Sequence, residues 1–170
     1  MTIKWIGAGL ILTACGFFGF SASAEYRREE RMLRCLEGIL SAMHKELEYR
    51  LTPLPELCRC ASQLWSGKVS KVFLCFSEEL ERDRHLDAAS CMTFAMGKFP
   101  DLPPRTRCGL ELFGKSVGRY DLAGQLQGLT EVVTYCQQEL SRLSDNRESR
   151  LRSYQTLGLC AGAALVILFI

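Results

Sequence analysis

Two long uncharged stretches constrain this chain more than any other feature. Trp5 to Ala24 is a run of 20 residues without a charged side chain, and Ser153 to Ile170 is another of 18. As helices rising about 1.5 Å per residue, these reach roughly 30 Å and 27 Å, the depth of a hydrocarbon core. A globular helix of that length needs a charged or strongly polar face where it meets water, and neither stretch supplies one. The sequence therefore predicts transmembrane helices at 3–24 and 153–170, with a single domain between them at 25–152.

Orientation follows from the basic residues that flank the two runs. Arg27, Arg28, Arg31 and Arg34 come directly after the first, and Arg142, Arg147, Arg150 and Arg152 directly before the second, against Lys4 alone at the amino end. Cationic side chains close to a span resist translocation. The expectation is a two-span cell-membrane protein whose middle segment is cytoplasmic and whose termini both lie outside. The amino end also has the form of a cleavable signal peptide, with Ala22-Ser23-Ala24 as a processing site, and Leu12-Thr13-Ala14-Cys15 has the form of a lipoprotein signal. Export fits poorly with four arginines immediately downstream and with nine cysteines, an odd number for a disulfide-bonded exported fold.

The middle segment reads as helix throughout. Leu33, Leu36, Leu40, Met43 and Leu47 follow steps of three and four, and so do Leu122, Leu126, Leu129, Val133, Cys136, Leu140 and Leu143 after Asp121 as N-cap. Between these two long helices lie four shorter ones. The first runs from Leu54 to Trp65, with Thr52 as N-cap, Pro53 and Pro55 in the opening turn, and Gly67 beyond its end. The second carries Val69, Val72, Phe73, Phe76 and Leu80. The third carries Leu86, Ala89, Met92, Thr93 and Met96 and stops before Pro100. The fourth carries Leu110, Phe113 and Val117 and is closed by Gly118. No run alternates apolar and polar residues as a strand would. The fold class is all-α: an antiparallel bundle of about six helices flanked by the two spans. Within the second span, Gly158 and Gly162 form a GxxxG pair that would let another helix approach closely, whether from a partner or from a second copy of the chain.

Catalytic machinery is hard to find. The two histidines, His44 and His85, lie in no metal-ligand pattern. Gly67-Lys68 lacks both the earlier glycine and the following Ser or Thr of a phosphate loop, since Ser62 and Val69 stand there. The acid pairs Glu29-Glu30 and Glu78-Glu79 read as solvated helical faces. The cysteines show no CxxC spacing; Cys58-Arg59-Cys60 is the one tight pair, and the set reads as small buried hydrophobes. No enzyme activity, cofactor or metal is expected, and 21 basic against 19 acidic residues gives no reason to expect nucleic-acid binding.

Three stretches, in this order and at these distances, carry a family resemblance. They are Leu51-Thr52-Pro53-Leu54-Pro55-Glu56-Leu57, then Phe113 through Gly118 to Asp121 with Gln125, and the tail from Leu157-Gly158 to Leu168. The chain resembles the stage III sporulation protein AB family over essentially its whole length. Val117 stands where that family tends to have leucine, and the cysteine count is high. The resemblance implies a membrane scaffold in a channel complex that links mother cell and forespore during endospore formation. It also implies a soluble part similar to the helical domain of type II secretion F proteins, docking a cytoplasmic secretion-type ATPase among other membrane proteins. Thr52, Pro53, Leu54, Pro55, Glu56, Arg59, Gly118, Asp121 and Gln125 are the residues it nominates for that docking. Each of them also suits a plain role as helix cap or turn former. A second class of function, a membrane-active or pore-forming protein regulated by its bundle, is compatible with the same spans.

Overall fold

The computed structural model describes residues 2–50, 52–82, 87–117 and 123–145, with side chains from Glu25 onward. Six helices make up these residues and no strand occurs among them: α1 Thr2–Arg50, α2 Leu54–Gln63, α3 Lys68–Arg82, α4 Ala88–Gly97, α5 Pro104–Ser116, and α6 at 123–145. The all-α class read from the periodicity is the one observed. The chain divides into two compact units, Glu29–Leu140 and the pair of end segments Met1–Arg28 with Ser141–Ile170.

Within Glu29–Leu140 the predicted seams are the ones that bury. Leu33, Leu36, Leu40, Met43 and Leu47 of α1 are all withdrawn from solvent, joined by Ile39. They meet Leu57, Cys58 and Ala61 of α2, Val69, Val72, Phe73 and Phe76 of α3, and Leu110 and Phe113 of α5 in one core. At its centre the Phe113 ring stands 5.2 Å from Phe73 and 5.8 Å from Phe76, tilted in one pair and edge-on in the other. These are the arrangements that ring quadrupoles favour. In α6 the fully buried line runs through Leu129, Val132 and Cys136, with Val133 and Leu140 at its margin.

Several local expectations need correction. The N-cap of α2 is Pro53, not Thr52: the Pro53 carbonyl accepts the first helical bond from Leu57 N at 2.9 Å, and no side chain caps the end. Proline's fixed φ, here −57°, holds that residue extended at ψ 142° while its carbonyl already serves the helix. The helix stops at Gln63, short of Trp65, and the chain turns at Gly67, whose φ of 125° is open to glycine alone without strain. In α4, Asp87 caps by accepting from Ser90 N at 3.1 Å, and the buried face is Ala88, Cys91, Met92, Ala95 and Met96; Thr93 is exposed. The acid pairs are not simply solvated. Glu79 and Glu29 keep only 8% and 14% of their side-chain surface. Among the described residues the cysteines divide three ways: Cys58, Cys91 and Cys136 are buried, Cys35 and Cys75 half-buried, Cys60 and Cys108 exposed, and these seven are in no disulfide.

In the unit of end segments, the predicted span at 3–24 falls in the part of α1 described only as helical backbone. The predicted span at 153–170, with Gly158 and Gly162, lies outside the described residues, as do Gly118, Asp121, Leu122 and His85. Among residues described with side chains, no helix is long and apolar enough to cross a membrane.

Candidate functional site

The residues singled out at 52–59 form the opening turns of α2. Helical spacing sorts them: Leu57 and Cys58 turn into the core, Leu54 and Pro55 lie half-buried, and Pro53 and Glu56 are exposed. Glu56 sits in the first turn, where the helix dipole favours an acid. One turn on, Arg59 reaches across to α3 and donates from one guanidinium nitrogen to both oxygens of Glu81, each at 2.6 Å. Both partners remain nearly half exposed, so this pair orients a surface more than it stabilises the fold.

The corner between α2 and α3 is held more firmly. Ser62 Oγ donates to the Arg59 carbonyl at 2.7 Å within α2, and Ser70 Oγ donates to the Ser62 carbonyl at 2.6 Å, closing the corner with a buried hydrogen bond. Beyond the corner the Trp65 indole lies flat against α1 at Gly38, where a Cβ would stand 2.3 Å from the ring. A residue with any side chain at position 38 would displace the ring. These contacts fix the end of α2 against α3 and the long helix, while Pro53 and Glu56 at its opening are exposed.

A second polar centre went unnoticed in the sequence. Arg105 on α5 donates to Glu29 on α1 at 2.9 Å and to Glu139 on α6 at 2.8 Å. Tyr135 Oη donates to the Arg105 carbonyl at 3.3 Å. One guanidinium thus ties three helices together through two carboxylates that have little contact with water. A signal for it existed: Glu29 is four residues before Leu33 and Glu139 three after Cys136, so both acids occupy seam positions. Glu79 does the same three residues after Phe76, and it has Arg82 and Lys98 at 3.5 and 3.7 Å.

Neither Cys58 nor Cys136 is an activated thiol, and the Tyr135 phenol is not activated either. A nucleophilic cysteine needs its thiol acidity raised by nearby cations. Here burial, followed by the Glu37 carboxylate, pushes the Cys136 thiol up to about 12, and burial pushes Cys58 up as well. The Tyr135 phenol is also driven up, first by burial and then by Cys108, with Glu139 and Cys136 adding to it. These groups are held in their neutral forms. Among the described residues, no three His, Cys, Asp or Glu side chains gather as a metal site would require. Gln125, in the first turn of α6, is half-buried and engaged in an interaction of its own.

Comparison with known proteins agrees with this all-helical fold. A family profile described as stage III sporulation protein AB matches residues 4–170. The stage III sporulation protein AB of Bacillus subtilis (strain 168) is 23% identical over 169 residues, covering 98% of each chain. A solved structure of a stage III sporulation protein AB superposes with a TM-score of 0.63 at 20% identity, over 72% of this chain and 98% of that one, which shows a shared fold. With its whole length from Lys4 onward matched by that profile, the chain belongs to the stage III sporulation protein AB family.

Proposed function

We propose that this sporulation protein is a non-enzymatic membrane scaffold whose helical unit docks a cytoplasmic ATPase through the opening turn of α2. Two hydrophobic helices, at 3–24 and 153–170, anchor it in the cell membrane. The antiparallel bundle between them lies on the mother-cell side and both termini lie outside. In this reading the protein is one component of a secretion-like channel complex with other membrane proteins, and the ATPase supplies the energy.

The observation that carries the docking reading is the cap of α2. Thr52 would be explained by the fold alone if its hydroxyl capped the helix, but Pro53 occupies the N-cap position and the end has no side-chain cap. Pro53 and Glu56 face solvent at the opening turn of α2, one turn before the Arg59–Glu81 pair that ties α2 to α3. An exposed acid beside an oriented Arg–Glu pair suits recognition of a basic protein surface, where complementary charge fixes partner and register.

The test is a pull-down of a secretion-type ATPase from the same organism by the full chain. Glu56→Lys should abolish capture, and Arg59→Glu should weaken it by disturbing the pair with Glu81. The swap Arg59→Glu with Glu81→Arg should restore part of the loss. Undiminished capture by Glu56→Lys would remove this surface from consideration. Protease added outside intact cells should leave residues 25–152 uncut; digestion there would overturn the topology.

A further inference from the structure

The helix α4 lacks the charged outer face that a surface helix ordinarily carries. Its ten residues, AASCMTFAMG, include no charged side chain, yet Ser90, Thr93, Phe94 and Gly97 are exposed. Phe94 keeps 51% of its surface. The Thr93 hydroxyl donates to the Ala89 carbonyl at 2.9 Å, so its hydrogen bond survives when water leaves the face. Depletion of charge around a part-exposed aromatic ring is the compositional mark of an interface centre. Beside α4 runs α5, packed so closely that a Cβ on Gly114 would stand 2.8 Å from Met92. On the outer side of α5, Cys108, Glu111, Leu112 and Lys115 fall within about 100° of one another by the 3.6-residue period, and all four are exposed. Glu111 and Lys115 stand four residues apart in the order that favours a helical ion pair. Among the described residues, however, neither makes an ion pair or a hydrogen bond. The two outer faces adjoin, and both lie wholly within Glu29–Leu140.

We propose that the outer face of α4 and α5 is a contact between two copies of this chain, related by a two-fold axis, in which Glu111 of each copy pairs with Lys115 of the other. The charges select a second copy over an unlike partner. A face with one unpaired acid and one unpaired base has no net charge with which to choose an acidic or a basic protein, but laid on its own image it satisfies both charges twice. The same pairing sets the axis. It passes beside Phe113 in α5 and, through the contact of Gly114 with Met92, beside Met92 in α4. Phe94 of one copy then comes over Ser90 of the other, a side chain small enough to receive a ring. Two helices of 10 and 13 residues laid on their image bury roughly 1,000 Å² in total, the size of a weak interface. Because α3 packs between α2 and α4, the opening turn of α2 stays clear of this contact.

The experiment follows self-association of the full chain in mild detergent by sedimentation velocity over a concentration series. The unaltered protein should pass from monomer to dimer at a concentration on the order of micromolar. Phe94→Ser should weaken the dimer about tenfold while keeping its helical circular dichroism. Glu111→Lys and Lys115→Glu should each weaken it about tenfold, because each sets like charges opposite one another twice. Mixed together, those two single variants should associate at about the unaltered strength, since every charge in the mixed pair again faces its opposite. Recovery on mixing belongs to a contact between copies and to no pairing within one chain. A protein that stays monomeric throughout the series would overturn the proposal. So would a dimer that none of the three substitutions moves, which would put the association in the anchors at Gly158 and Gly162. Single variants that remain weak when mixed would refute the pairing of Glu111 with Lys115.

Discussion

Removing the Arg105 guanidinium should destabilise the helical unit by about 3 kcal/mol, far more than any surface ion pair would. The figure comes from what is left behind. Glu29 and Glu139 keep 14% and 10% of their side-chain surface and share Arg105 at 2.9 and 2.8 Å. Arg105→Ala would leave two carboxylates facing one vacated position with little water to solvate them. Breaking a buried pair from one side costs about 3–5 kcal/mol, and because a third of the Arg105 side chain is exposed the lower end applies. For a unit of this size, about 3 kcal/mol corresponds to a fall in Tm of roughly 10 °C, read by circular dichroism on the purified chain. A double-mutant cycle adds the mechanism. In the Arg105→Ala background, Glu139→Gln should recover on the order of 1 kcal/mol, because it removes one of the two stranded charges. Arg59→Ala is the internal control: its pair with Glu81 is as close, but at 43% and 49% exposure its loss should cost no more than about 1 kcal/mol. If Arg105→Ala and Arg59→Ala cost the same, burial is not what gives the Arg105 centre its strength and the reasoning fails.

Four further outcomes follow from the same structure. Thr106 is fully buried with its hydroxyl unpartnered, so Thr106→Val should raise stability by about 1 kcal/mol in chemical denaturation; a loss of stability would mean that the hydroxyl has a partner. Gly38→Ala places a methyl where the Trp65 ring lies, and because that ring is 42% exposed it can swing outward. Helix propensity of about 1 kcal/mol should then roughly offset the lost contact, with red-shifted tryptophan emission as the sign that the ring has moved. The Cys136 thiol, held at about 12 when folded and near 9 when unfolded, contributes stability that is complete below pH 9 and is lost as pH rises from 9 through about 12. Melting temperatures should fall across that window, and the fall should shrink in Cys136→Ala. In the folded protein a maleimide should modify Cys60 and Cys108 well before Cys136.

How far the structure could be read from sequence depended on how many neighbours each helix answers to. The stripe of α1, Leu33 through Leu47, repeats over so many turns that no other face could be buried, and each of those leucines is indeed inside. In α4 the same reasoning slipped. Its ten residues, AASCMTFAMG, are apolar nearly all round, so no single stripe stands out and the buried face is chosen by the helices around it and by where Asp87 starts the helix. Proline at position 53 takes the N-cap position expected of Thr52, and its ring fixes φ there but offers no side-chain acceptor for the first N–H groups. Charge was the least legible feature. Glu29 and Glu79 sit in acid pairs that look solvent-facing when read with their neighbours in sequence, and only the arrival of Arg105 from 76 residues away makes the burial of Glu29 tolerable. The α2 turn was named by family likeness alone, and its tie from Arg59 to Glu81 spans 22 residues between two exposed side chains. A pair of that kind leaves no periodic trace, because neither partner has to sit on an apolar seam. A charge lying on a seam is the legible case: an acid three or four residues from core leucines on both sides signals that a cation must come to it, and Glu139, between Cys136 and Leu143, already met that description.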